Sequence, residues 1–98
     1  MAAIAVHCDG SRERGWSCIV TLREGGIDIS THHVRVWESD LTRLAPNAPD
    51  PGALVKASFR FLLERESPQM ILRTFELTDI ARYFPEYETT IRKRVPRT

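Results

Sequence analysis

Cys8, Cys18 and His32 are the first side chains to test for chemistry, because thiols and imidazoles are what a zinc ion gathers into a tetrahedral set. In the strand register favoured below they share one sheet face, and His7 and His33 sit next door. Structural zinc sites usually supply ligand pairs roughly two to four residues apart, and neither cysteine has such a partner. The sulfurs therefore read as small apolar groups, and no metal is expected. A nucleophile would be Cys8 with His7 or His32, or Ser11 after Asp9-Gly10. Cys8 falls in mid-strand, away from any helix N-terminus that would lower its pKa, and the adjacent His7 points to the opposite sheet face. No strand–turn–helix frame surrounds Ser11. The acidic residues are scattered or stand beside basic ones, as on a solvated surface. Gly25-Gly26 lacks the lysine and following helix of a phosphate loop. No catalytic residue, cofactor or enzyme activity is expected. A small enzyme or metal protein built on Cys8, Cys18 and His32 is the least favoured reading.

Composition narrows the classes further. At 98 residues, 42% hydrophobic and 28% charged, the chain reads as one small globular domain spanning 1–98. A formal net charge of +1 gives no electrostatic case for nucleic acid or an acidic membrane. MAAIAVHCDG carries no basic leader and no long apolar run, so neither signal nor span is expected. Two cysteines without a leader fit free thiols in the cytoplasm.

The elements that must position any site follow from periodicity. Ala3–Asp9 alternates and reads as a strand with Ile4, Val6 and Cys8 on one face. Trp16–Glu24 is a second strand, with Trp16, Cys18, Val20 and Leu22 on its apolar face. Gly25-Gly26 is a hairpin turn, and Ile27–Trp37 is the third strand. A two-residue loop sets Leu22 opposite Ile29 and Arg23 opposite Asp28. A three-residue loop aligns Trp16, Cys18 and Val20 with Val34, Val36 and His32, collects more apolar area, and is preferred, with a bulge at Gly25-Gly26. Ser39 is expected to cap a turn through Leu44, and a proline-dense connection follows.

Asp50–Glu66 (DPGALVKASFRFLLERE) organises the rest. Asp50 caps, Pro51 opens, and Leu54, Val55, Phe59, Phe61, Leu62 and Leu63 make an apolar arc too wide to face water. Lys56, Arg60 and Glu64 form the polar line, and Ser67-Pro68 ends the helix. Pro68 then opens a helix through Met70–Phe75, a further one runs from Leu77 or Thr78 to Phe84, and Pro85 opens the last. Phe84, Tyr87, Ile91 and Val95 form its stripe, Arg92, Lys93 and Arg94 suit its C-terminal dipole, and Pro96-Arg97-Thr98 should fray. The fold class is α+β: a three-stranded antiparallel meander (3–9, 16–24, 28–37) on one main helix, 51–65, then two or three short helices.

FLLERE (Phe61–Glu66), ILRTFEL (Ile71–Leu77) and RYFPEYE (Arg82–Glu88) resemble segments of a family of small uncharacterised bacterial proteins. DLTRLAP (Asp40–Pro46) is similar in flavour. The resemblance covers roughly the C-terminal 60% of the chain. It implies a compact bacterial cytosolic domain and transfers no catalytic residue or ligand.

Function is expected to be that of a small non-enzymatic interaction or regulatory module, with an unknown protein partner or with itself as a homodimer, and not on a membrane. The candidate surface is Arg23, His33, Arg35 and an exposed Trp37 on the open sheet face, with Tyr83 and Tyr87 of the aromatic corner. Unprotected sheet edges offer a second route. The alternative is a weak DNA- or RNA-binding regulator. It would use that sheet face with Arg12, Arg14 and the basic end to Arg97, or a helix-turn-helix across Met70–Phe84 turning at Glu76-Leu77-Thr78.

Overall fold

The computed structural model describes residues 2–11, 14–46, 48 and 50–95, without the Ser11 side chain. Expectations for the Ser11 hydroxyl, Arg12, Arg97 and fraying at 96–98 lie outside the described residues. Strands β1 (Ala3–Ser11), β2 (Gly15–Glu24) and β3 (Ile27–Trp37) form the expected antiparallel meander. Gly25 and Gly26 take φ of 58° and 80°, which only glycine adopts at little cost, and so make a tight two-residue turn.

Both expected registers are partly realised. At the turn, Arg23 faces Asp28; beyond it, Leu22 faces Ser30, Val20 faces His32 and Trp16 faces Val36. The bulge lies between Leu22 and Arg23, not at the glycines, and leaves Ile29 as the extra residue. That shift returns Val34 and Val36 to the face carrying Cys18, Val20 and Leu22, all of which are buried.

Cys8 pairs directly with Cys18, and the two are joined in a disulfide with Cα atoms 4.0 Å apart. The expectation of free thiols is overturned. The alternation that placed both sulfurs on one face also placed them on opposed positions of neighbouring strands, within bridging reach. Thiol chemistry therefore no longer argues for a reducing compartment. No described helix is long and apolar enough to cross a membrane.

Helix α1 (Glu38–Leu44) starts as β3 ends: Trp37 is its N-cap, the Asp40 carboxylate of the first turn accepts from the Trp37 backbone N–H at 2.9 Å, and the expected cap Ser39 lies inside the helix. Helix α2 (Pro51–Leu63) has the expected start: the Asp50 carboxylate accepts from Ala53 N–H at 3.3 Å, and Pro51 takes the first turn. Leu54, Val55, Ala57, Phe59, Phe61 and Leu62 are buried, whereas Lys56, Arg60 and Glu64 face solvent. Each fully buried Leu or Phe of this arc stabilises the fold by about 1.5–3 kcal/mol relative to exposure.

The chain after Pro68 departs from expectation. A single 3-10 turn (Pro68–Met70) gives way to extended backbone at Ile71, and Thr74–Glu76 becomes β4, parallel to β3. The sheet is therefore four-stranded and mixed, in the order β1-β2-β3-β4. Thr74-Phe75-Glu76-Leu77 alternates exposed and buried with a period of two, which a strand satisfies and a helix cannot. His33 N–H donates to Arg73 O at 2.7 Å and Leu77 N–H to Arg35 O at 2.9 Å, so β4 satisfies the free edge of β3. A helix-turn-helix across Met70–Phe84 is thereby excluded. Helices α3 (Asp79–Tyr83) and α4 (Tyr87–Arg94) follow, and Tyr87, Ile91 and Val95 bury the predicted stripe.

Candidate functional site

Where α2 ends, the 3-10 turn, β4 and α3 leave a cleft of about 350 Å³. Leu62, Ile71, Phe75 and Ile80 are buried side chains of the core and make its floor. Met70, Leu72 and Tyr83 make its rim, yet they are 69%, 50% and 67% exposed. Three large apolar side chains thus stand exposed around one concavity. The rim stands out because the turn at Pro68–Met70 and the extended Ile71–Arg73 carry Met70 and Leu72 outward while Ile71 turns in.

Two carboxylates face this apolar lining. Asp79 is engaged: its Oδ2 accepts from Glu76 N–H at 3.1 Å and its Oδ1 lies 3.7 Å from Arg82. Glu66 is half-buried, and burial pushes its carboxyl above the usual range.

His32 lies behind the cleft and ties β3 to its rim through the Leu72 backbone. It is fully buried on β3 against Phe59, with ring centroids 5.3 Å apart. Its Nδ1 donates to Leu72 O at 2.7 Å, which leaves Nε2 as the acceptor from the Ser30 hydroxyl at 2.9 Å. Burial lowers its pKa, consistent with that neutral tautomer. Among the described residues no group of three His, Cys, Asp or Glu is placed to hold a metal ion.

The expected surface residues do not act together. Arg23 is tied to Asp28 at 2.6 Å beside the hairpin turn. His33 is exposed on the open sheet face. Arg35 stacks over the Trp37 ring at 4.4 Å, and Trp37 Nε1–H donates to Glu76 at 2.9 Å, so Trp37 is half-buried and not the free aromatic expected. Tyr83 lines the cleft. Tyr87 does not: it is 0% exposed, its ring meets Phe61 edge-on at 5.3 Å, and its hydroxyl lies 2.6 Å from Ser58 Oγ. Tyr83 and Tyr87 sit on two successive short helices with different faces inward, which sequence spacing alone did not separate. Met70 and Leu72 escape sequence reasoning because Met70–Phe75 reads as helix, and Glu66, just past the end of α2, carries no local signal of its own. The period of two at Thr74–Leu77 was the signal that would have exposed them.

No family model, no curated protein and no solved structure matches the chain.

Proposed function

We propose that the protein is a non-enzymatic interaction module whose cleft seats a basic amphipathic segment of a partner protein. One apolar side chain of that segment fills the space between Met70, Leu72 and Tyr83, and a lysine or arginine beside it meets Glu66. The observation that carries the reading is the half-buried Glu66 carboxylate, raised by desolvation, amid exposed apolar side chains. Burying that rim supplies the attraction, and the carboxylate supplies selectivity for a cation.

Selection of short random peptides displayed on phage tests this, with wild type as bait and Leu72→Glu as the counter-bait. The expected peptides pair a large apolar residue with a nearby lysine or arginine. They lose binding to Leu72→Glu and bind Glu66→Gln about tenfold more weakly, which corresponds to about 1.4 kcal/mol. Peptides without basic residues, or ones indifferent to both substitutions, would refute the proposal.

A further inference from the structure

The other end of the sheet carries a separate feature. β1 is an edge strand: β2 pairs with it on one side, and no described strand lies on the other. The backbone alternation shows which of its groups are unused. His33 N–H bonds to the β4 side, so the odd residues of β3 serve β4 and its even residues serve β2. By the same alternation the odd residues of β2 serve β1, and they face Ala3, Ala5, His7 and Asp9. The narrow Cys8–Cys18 pair, with Cα atoms 4.0 Å apart, independently marks the even residues of β1 as not bonded to β2. Ile4, Val6 and Cys8 therefore aim their N–H and C=O groups at the free edge.

Edges of this kind are normally blunted by lysine, proline or an inward charge, and Ala3–Cys8 has none of these. The inner-facing row is also unfinished. Val20 and Leu22 on β2 are fully buried, whereas Ile4, Val6 and Cys8 are only half-buried. A further strand beyond β1 would complete that row.

We propose that this edge pairs with β1 of a second copy, antiparallel about a two-fold axis at Val6. The segment is complementary to itself in that register. Val6 meets Val6 of the other copy, Ile4 meets Cys8, and each of these residues both donates and accepts across the axis. On the inner face the pairing joins apolar to apolar. On the outer face, small Ala5 and Ala3 oppose His7 and Asp9, so no like charges or bulky groups are set against each other. The result is one continuous sheet through both copies, closed by symmetry.

Sedimentation equilibrium and amide hydrogen exchange test this on the full chain. Wild type is expected to be dimeric, and raising its concentration should protect the amides of Ile4, Val6 and Cys8. Those of Ala5 and His7 are already held by β2 and should change little. Ala5→Lys places a charge on the exposed outer face without touching the core, and should raise the dissociation constant about tenfold or more. Val6→Pro removes the donor at the axis, a position where an edge strand tolerates proline, and should give monomer. If Val6→Pro fails to fold, Ala5→Lys still decides. A wild type that stays monomeric at the highest concentration, or a folded Ala5→Lys protein that dimerises as tightly as wild type, would overturn the proposal. So would protection that grows on another strand instead.

Discussion

Breaking the Cys8–Cys18 bridge offers a perturbation whose size can be worked out in advance. The bond closes a loop with a sequence separation of 10. The loop-closure relation then gives about 2–3 kcal/mol of stabilisation, through restriction of the unfolded chain. A chain of 98 residues has roughly 5–15 kcal/mol of stability in all, so the reduced protein should still fold. Its melting temperature should fall by roughly 10–20 °C. Urea unfolding with and without excess dithiothreitol measures this cleanly, because reduction keeps both sulfur atoms in place and removes only the bond. Cys8→Ala/Cys18→Ala should lose more, since Cys18 is buried and its truncation leaves a void. Thiol labelling of the unfolded protein fixes the redox state of each sample. A reduced sample with both thiols labelled and a midpoint within about 0.5 kcal/mol of the oxidised one would refute the loop-closure reasoning. Two labelled thiols in the untreated protein would show that the bridge does not form.

Three further expectations concern the core and the cleft wall. Ser58 Oγ donates to Leu54 O at 2.8 Å and so accepts from Tyr87, whose buried hydroxyl titrates above its ordinary range because of desolvation. Ser58→Ala strands that hydroxyl and should cost about 1–3 kcal/mol, Tyr87→Phe about 1, and the double variant less than their sum in chemical unfolding. Gly15→Ala would set a Cβ 2.6 Å from Val36 O, so it should destabilise by about 1–3 kcal/mol in the same assay, with no rescue from Gly15→Ser. His32 has a folded pKa below its ordinary 6.5, so its neutral form supports folding above that value, and the support is lost as pH falls below it. Unfolding free energy should drop towards pH 5 with a slope from this group of at most about 1.4 kcal/mol per pH unit. An equal slope in His32→Gln would reject that assignment.

The parts of the fold written in strong local signals were legible. Asp50-Pro51, the apolar arc of α2 and Gly25-Gly26 each follow from backbone chemistry that neighbours do not alter. The bulge at Leu22/Arg23 was half legible, because two competing demands, a tight glycine turn and an apolar face, were both visible; the chain meets both by spending one residue, Ile29. β4 was not legible in the same way. A three-residue strand has little pattern of its own and exists because β3 presents an unpaired edge, which is a tertiary fact. The cleft inherits that difficulty, since its rim depends on where β4 begins. The disulfide was legible only through the β1–β2 register, which sets Cys8 opposite Cys18 on one face of neighbouring strands.

The two proposed surfaces can fail separately, and the sheet order is the reason. Leu72 and Phe75 bring the cleft to the β4 side, whereas the self-pairing segment is β1. With strands about 4.8 Å apart, those edges lie roughly 14 Å from each other, beyond the range at which substitutions usually couple. Ala5→Lys should therefore leave peptide binding at the cleft unchanged, and Leu72→Glu should leave self-association unchanged. α2 packs on the inner face, closest against β1, and the Arg35–Trp37–Glu76 contacts lie on the outer one at β3 and β4. The two margins differ, one offering backbone and the other apolar side chains with a carboxylate. These are different chemistries, and a second copy of β1 can answer only the first.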